Sequence, residues 1–374
     1  MTRETRAAVL SASGAKFEMQ ALRLEAPRTD EICVRIVSAG VCHTDAVARA
    51  GDYPVPTPVV LGHEGAGVVE AVGSAVTDVA PGDHVVLSFG ACWTCATCRQ
   101  GRPALCQYAF ERNFLAQRPD GSSPFVADGG ATHGMFFAQS SFAEYALAPA
   151  ASAVVVDKAL PLELAGPLGC GIQTGAGAVL NSLAPDIGAS IAVFGVGAVG
   201  LSAVIAAGIA GCAEIIAIDR HPSRLQLATE LGATTTIEVA GGDVVEQIRA
   251  ITNGGVEYAL DTTGHPVVVR QAIDALRVAG TFGLIGAAPL GTEVSLDLTH
   301  MLFGRTFRGI IEGDSVPREF IPRLVEHYLE GRFPIDRLVQ FYELDELEAA
   351  VHDSETGSVI KPVLLPGGLA VGQS

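Results

Sequence analysis

A chain of 374 residues is longer than one hydrophobic core usually serves, so two domains are the first expectation. With 49% hydrophobic and 17% charged residues and no long run of like charge, the composition is that of a globular protein and not of a disordered one. A formal net charge of -17 repels polyanions, which argues against nucleic acid and against an anionic membrane as partners.

The opening Met1-Thr2-Arg3-Glu4-Thr5-Arg6 lacks the apolar core and cleavage site of a signal peptide, so a cytoplasmic location is expected. The first third reads as β-rich. Glu31 to Val37 alternates apolar and polar positions, and Val68 to Gly73 and Asp83 to Leu87 continue the pattern between Gly and Pro punctuation. An irregular β-barrel fits this texture. His84, inside a strand-like run, reads as structural.

Two residues in this third have metal-ligand chemistry: Cys42, in Gly40-Val41-Cys42-His43-Thr44-Asp45, and His63, in Gly62-His63-Glu64-Gly65. Further on, Cys92, Cys95, Cys98 and Cys106 form C-x2-C-x2-C-x7-C, four of the chain's eight cysteines within fifteen residues. In a large chain without an export signal such crowding favours metal over disulfides. Four thiolates leave zinc no open position, so the site reads as structural. Buried free thiols and an iron-sulfur cluster are the rival readings, the latter lacking its proline-flanked run.

From about Leu162 longer helix-compatible stretches alternate with short apolar strands, the sequence form of a doubly wound α/β sheet. Gly169-Cys170-Gly171 supplies a third ligand candidate. Spacing alone does not join Cys42, His63 and Cys170, but two thiolates and one imidazole make the Cys2His set that leaves a position open for water or an alcohol oxygen. Taken singly, His63 reads equally as a satisfied core histidine and Cys170 as a small buried apolar residue. Asp45 and Glu64 are carboxylates suitably placed to orient the ligands.

Strand-like Ser190 to Phe194 runs into Gly195-Val196-Gly197-Ala198-Val199-Gly200. In such a turn Gly195 permits the bend, Gly197 lets backbone approach a pyrophosphate, and Gly200 allows close helix-strand packing. The next strand, Glu214 to Ile218, ends in Asp219, where a carboxylate would accept the adenosine ribose hydroxyls and favour NAD over NADP. Arg220 and Arg224 soften that preference, since arginine accommodates phosphate. The apolar stretch 192–213 is too interrupted by glycine for a membrane span. Further strands are expected at Val256 to Leu260 and Gly280 to Ile285, a helix from Pro317 to Gly331, and a β-like tail from Gly357 to Leu365.

Together these residues resemble the zinc-dependent medium-chain alcohol dehydrogenases over essentially the whole chain. The resemblance rests on Gly62-His63-Glu64-Gly65-Ala66-Gly67, the four-cysteine loop, Gly195 to Gly200, and Gly357-Ser358-Val359-Ile360-Lys361-Pro362. Gly40 to Asp45, Cys170 to Gly177 and Ile311 to Pro317 are similar to the aryl-alcohol (benzyl-alcohol) dehydrogenase branch, and enzymes of terpenoid allylic alcohols share much of these segments. The resemblance implies an α/β fold, with a GroES-like β-barrel catalytic domain over 1–170 and 311–374 and a Rossmann doubly wound parallel-sheet coenzyme domain over 171–310.

It further implies two zinc ions per subunit and NAD. Cys42, His63 and Cys170 would hold the catalytic zinc, with Asp45 and Glu64 behind them. Thr44 would begin a proton relay, and His43 and Lys361 would contact the cofactor pyrophosphate. Phe136, Phe137 and Ile311 would line the substrate pocket. One departure is Val47, which stands where liver-type relatives have a histidine at the end of the relay. The implied reaction is reversible oxidation of a primary aromatic or allylic alcohol to its aldehyde, in a homo-oligomer for which a dimer is favoured and a tetramer is the alternative. The rivals are a dehydrogenase of hydroxymethyl-thiol adducts, a geraniol-type dehydrogenase, and a non-catalytic NAD-binding protein.

Overall fold

The computed structural model describes residues 2–127 and 130–369. The chain divides into two compact units: one runs up to Gly171 and resumes from Val316 onward, and the other is Ile172–Ser315. Among the described residues the strands form three sheets, two in the first unit and one in the second.

In the first unit β1 (Arg3–Leu10), β2 (Phe17–Leu24) and β3 (Glu31–Gly40) lead to helix α1 (His43–Ala50), then to β4 (Val59–Val60), β5 (Gly65–Val72) and β6 (His84–Leu87). Two short helices follow, α2 (Ala96–Arg99) and α3 (Ala109–Asn113), and then β7 (Phe125–Ala127), β8 (Gly130–Thr132), β9 (Tyr145–Pro149), β10 (Ala153–Val155) and α4 (Leu162–Ala165). One sheet has the order β4-β1-β2-β7-β8. The other is gathered on β3, which pairs antiparallel with β5 and β9. This is the GroES-like barrel. Alternation in Glu31 to Val37 predicts one buried face, yet Glu31, Ile32, Cys33 and Val34 are all buried. The strand is covered on both sides, and its acidic end is neutralised by Arg118.

The second unit begins with α5 (Gly171–Gly177) and continues through β11 (Ser190–Phe194), α6 (Ala198–Ala210), β12 (Glu214–Asp219), α7 (Pro222–Glu230), β13 (Thr235–Glu238), α8 (Val244–Thr252), β14 (Val256–Asp261), α9 (Pro266–Asp274), β15 (Leu276–Leu284), α10 (Leu298–Leu302) and β16 (Thr306–Gly309). Its sheet has the order β13-β12-β11-β14-β15-β16 with every pair parallel. Winding reverses between β11 and β14, which opens a crevice at their C-terminal ends. Ile191, Val193, Ile216 and Leu260 are buried, as strands covered by helices on both faces require.

The chain then re-enters the first unit through α11 (Pro317–Leu329), β17 (Val339–Glu343), α12 (Leu347–Thr356) and β18 (Lys361–Leu365). Strand β18 pairs antiparallel with β3, Val363 opposite Gly40, which carries Lys361 to the end of β3. Residues 311–315 belong to the second unit, because Ser315 Oγ donates to Gln173 Oε1 at 3.0 Å and Asp314 Oδ2 accepts from Ser182 Oγ and Arg308, each at 2.7 Å. Among the described residues no helix is long and apolar enough to cross a membrane.

The most buried cation of the barrel holds its seam. Arg118 is 2% exposed and donates through Nε and NH2 to the two oxygens of Glu31 at 2.6 and 3.0 Å, and through NH1 to Glu25 at 2.8 Å. Removing it strands Glu31 in the interior, so Arg118→Ala is expected to lower unfolding stability by about 3–5 kcal/mol. Arg6→Ala, which breaks only the exposed pair with Asp345, should lower it by less than about 1 kcal/mol. Equal denaturation midpoints for the two variants would overturn this account.

Candidate active site and metal centres

The first metal-ligand candidates lie at a strand-to-helix junction. Cys42 caps α1, and its backbone N–H donates to Asp45 Oδ2 at 3.1 Å, a reciprocal closure of the first helical turn. The other oxygen of Asp45 accepts from Gly62 N at 3.1 Å and meets His63 Nδ1 at 3.0 Å. One buried carboxylate therefore seats both Cys42 and His63. Gly62 has φ +88, and a Cβ there would lie 2.5 Å from the Phe142 backbone, so only glycine allows this entry to His63. Cys170 follows a tight turn over 166–169, where Ser88 Oγ donates to Gly169 O at 2.8 Å.

The structure brings Cys42, His63, Cys170 and Glu64 together, one ligand atom of each lying within 4.8 Å of the others. Glu64, read from sequence as a residue behind the ligands, is thus part of the cluster. Its Oε1 accepts from Lys361 Nζ at 2.9 Å and from Gly171 N at 3.1 Å. Two buried atoms have no hydrogen-bond partner, His63 Nε2 and Glu64 Oε2. An orphaned imidazole nitrogen beside two thiols fits a divalent cation, which would satisfy it directly. The residues present fit zinc.

The electrostatics agree. Burial pushes the Glu64 carboxyl up to about 7 against the opposing pull of Lys361. Burial works against a charged Lys361, yet the Glu64 carboxylate and the Cys42 thiolate raise it above the ordinary lysine value. Cys42 is held well below the usual thiol range, first by its hydrogen bond with Cys170 and then by Lys361 against the cost of burial. Burial disfavours charge on His63, and the Asp45 carboxylate more than offsets it, holding the ring well above the usual histidine range. Lys361, given by resemblance to the cofactor pyrophosphate, lies on the metal side, its Nζ donating to Val41 O at 3.1 Å as well as to Glu64.

Around the cluster, Thr44 Oγ1 lies 3.9 Å from Cys42 Sγ, and the neighbouring His43 is exposed. The Phe137 ring sits 4.7 Å from the His63 ring and the Phe136 ring 5.7 Å from it, edge-on. Phe114 packs on Phe137 at 5.1 Å, and Tyr53 and Phe110 pack on Phe114 at 5.1 and 5.3 Å. The sequence reading missed this outer layer; the i,i+4 spacing of Phe110 and Phe114 was the available signal. Ile311, by contrast, belongs to the second unit and is 47% exposed.

The four remaining ligand candidates form their own cluster. Cys92, Cys95, Cys98 and Cys106 have sulfurs within 4.8 Å of one another, with Cys92 and Cys98 at 3.9 Å. A zinc tetrahedron with ordinary Zn–S bonds has edges of about 3.8 Å. Backbone N–H groups point at the sulfurs, Cys95 N at Cys92 and Cys92 N at Cys106, each at 3.3 Å, as anionic thiolates require. None of the eight cysteines forms a disulfide.

In the second unit the glycine turn sits at the crevice. Gly195 has φ +84 and a Cβ there would strike Thr262; a Cβ on Gly200 would lie 1.9 Å from Gly195 O. Around Gly197 there is open space, with only Arg224 NH1 near at 3.8 Å. That cradle, at the N-terminus of α6, fits a pyrophosphate. Asp219 closes β12 with Oδ2 accepting from Val196 N at 2.8 Å and Oδ1 from His221 N at 2.9 Å. Arg224 Nε is buried without a hydrogen-bond partner among the described residues.

Comparison with known proteins agrees with this geometry. Residues 28–158 match the alcohol dehydrogenase GroES-like domain and residues 198–329 the zinc-binding dehydrogenase domain. A crystal structure of an alcohol dehydrogenase zinc-binding domain protein from Burkholderia ambifaria superposes with a TM-score of 0.96 at 56% identity, covering 98% of this chain and all of that one. Benzyl alcohol dehydrogenase from Acinetobacter calcoaceticus superposes with a TM-score of 0.95 at 46% identity, covering 97% and 99%. Geraniol dehydrogenase of Castellaniella defragrans is 46% identical over 96% of this chain and 97% of its own. The chain belongs to the zinc-dependent medium-chain alcohol dehydrogenases, with zinc and NAD as its cofactors.

Proposed function

We propose that this alcohol dehydrogenase oxidises a primary aromatic alcohol of the benzyl alcohol type to its aldehyde, reversibly. The observation that carries the reading is the chain of ring contacts running outward from His63 through Phe137 and Phe114 to Tyr53 and Phe110. Flat apolar walls around one polar point select a flat apolar alcohol. The same layer extends as far as Phe110, 45% exposed, and this length favours an allylic terpenoid alcohol as the second reading.

When bound, zinc supplies a Lewis acid toward the alcohol oxygen and NAD supplies the hydride acceptor. Cys42, His63 and Cys170 hold the metal, and Asp45 fixes the histidine tautomer so that Nε2 is the ligand atom. Glu64 and Lys361 adjust the charge beside it. Thr44 accepts the alcohol proton and releases it to water, because Val47 has no group to carry it on. Phe136 and Phe137 keep water off the reacting carbon. In the second unit Gly197 and the α6 N-terminus receive the pyrophosphate flanked by Arg224, and Asp219 receives the ribose. His43 is the remaining phosphate contact of this reading.

Assembly belongs to the same proposal. Strand β16 is the edge of its sheet and all four of its residues are exposed, with Leu298 and Leu302 each 82% exposed and Phe303 and Phe307 also exposed nearby. Such an apolar edge is stable in solution when paired with a second copy of itself. Leu302→Asp combined with Phe307→Lys is expected to shift the protein from dimer to monomer in sedimentation; an unchanged mass would place the interface elsewhere.

A panel of benzyl, cinnamyl, geranyl and 1-butyl alcohols, read as kcat/KM with NAD, tests the substrate class. Aromatic and allylic alcohols should exceed 1-butanol by roughly tenfold or more. No turnover of any of them by a zinc-replete sample would sink the enzyme reading.

The two metal roles separate by mutation. Cys170→Ser should abolish turnover while leaving the melting temperature nearly unchanged and one zinc per chain in place. Cys98→Ser should lower the melting temperature and release metal from the four-cysteine loop. Each variant should thus keep one zinc per chain, and equal melting temperatures in the two would show that the division into catalytic and structural sites is wrong.

A further inference from the structure

The segment carrying His63 is flanked by residues 133–142, and the two run together by backbone hydrogen bonds at both ends. His133 N donates to Pro58 O at 2.8 Å and Val60 N to His133 O at 3.0 Å; Ser141 N donates to Gly62 O at 2.9 Å and Phe142 N to Leu61 O at 3.1 Å. Between these ends the chain bulges through four non-glycine residues with positive φ: Met135, Phe137, Ala138 and Ser140. The bulge turns the Phe136 and Phe137 rings onto His63. Its consequence is that His63 O and Gly65 N, which flank Glu64, meet no peptide group of this segment.

One side chain fills that gap. Gln139, fully buried, accepts from Gly65 N through Oε1 at 2.9 Å and donates through Nε2 to His63 O at 2.9 Å. A primary amide presents the same donor and acceptor as a peptide unit, so Gln139 replaces the missing rung of the ladder. Ser140 does similar work one residue on, accepting from Phe136 N at 2.9 Å and donating to Val60 O at 2.6 Å.

We propose that Gln139 is a positioning residue whose carboxamide locks the His63-Glu64-Gly65 turn to the loop bearing Phe136 and Phe137, fixing the spacing between metal ligand and substrate wall. The consequence for selectivity rests on the aromatic-alcohol reading above; the consequence for metal retention does not. Loss of the amide frees the peptide of a metal ligand and the ring wall at once. Both properties then change together, at a temperature where the fold is intact.

The test uses Gln139→Leu, which removes both hydrogen bonds at similar volume, and Gln139→Glu, which keeps the acceptor for Gly65 N and loses the donor to His63 O. Zinc extraction by dipicolinate is followed in the kinetic phase that is missing from Cys170→Ser, and kcat/KM is compared for benzyl alcohol and 1-butanol well below the melting temperature. For Gln139→Leu, extraction should quicken roughly tenfold and the benzyl-to-butyl ratio fall roughly tenfold, with Gln139→Glu intermediate in extraction. Wild-type extraction and ratio alongside a lowered melting temperature would reduce Gln139 to a stability residue and overturn the proposal, as would a change in one readout alone. If Gln139→Leu is insoluble, Gln139→Glu carries both measurements. A wild-type enzyme with no preference for benzyl alcohol would refute the substrate reading instead, and the extraction rate would then decide the role of Gln139 by itself.

Discussion

The active centre depends on one buried carboxylate. Asp45 is 1% exposed, and its two oxygens receive the backbone N–H of Cys42, the backbone N–H of Gly62 and the Nδ1 proton of His63. Two candidate metal ligands on separate segments thereby share one reference point. Withdrawing a carboxylate from water costs several kcal/mol, and three N–H groups offset that cost only when both segments are in place. The interaction is therefore cooperative: the start of α1 and the turn before β5 are each held by the other.

The same constraint governs charge. Cys42, Cys170, Glu64 and Asp45 can each carry a negative charge within one small, largely buried space, and Lys361 is the cation that meets Glu64 there. A divalent metal brings that excess close to balance while satisfying His63 Nε2. The four-cysteine loop solves a smaller version of the problem. Its ligands lie close in sequence, so little chain entropy separates them, and backbone N–H groups already face the sulfurs.

That difference explains what was legible in the sequence. The Cys92 to Cys106 loop, the Gly195 turn with its flanking strands and the Asp219 strand end are local patterns, and local patterns survive in one dimension. Cys42, His63 and Cys170 could be joined only through family resemblance, because their proximity is created by the sheet gathered on β3 and by the turn over 166–169. The Lys361–Glu64 pair spans 297 positions and had no spacing signal at all. The resemblance placed residues 311–315 with the first domain, whereas hydrogen bonds of Ser315 and Asp314 hold them in the second unit. The burial of Glu31, in a strand expected to alternate, was likewise decided by a residue far along the chain, Arg118.

Least legible of all was the loop at Met135 to Ser140. Positive φ is normally announced by glycine or asparagine, and Met-Phe-Phe-Ala-Gln-Ser announces nothing. Each such residue costs on the order of 1 kcal/mol or more, and the conformation persists only because tertiary bonds over-determine it. Those bonds come from Gln139 and Ser140, side chains that take over the work of a backbone bent out of register. A straight strand would have satisfied the same peptide groups at lower cost, but it would have sent alternate side chains to opposite faces. Two consecutive phenylalanines reach the same histidine only if the strand is broken, so the strain is located where the candidate ligand His63 meets the two rings.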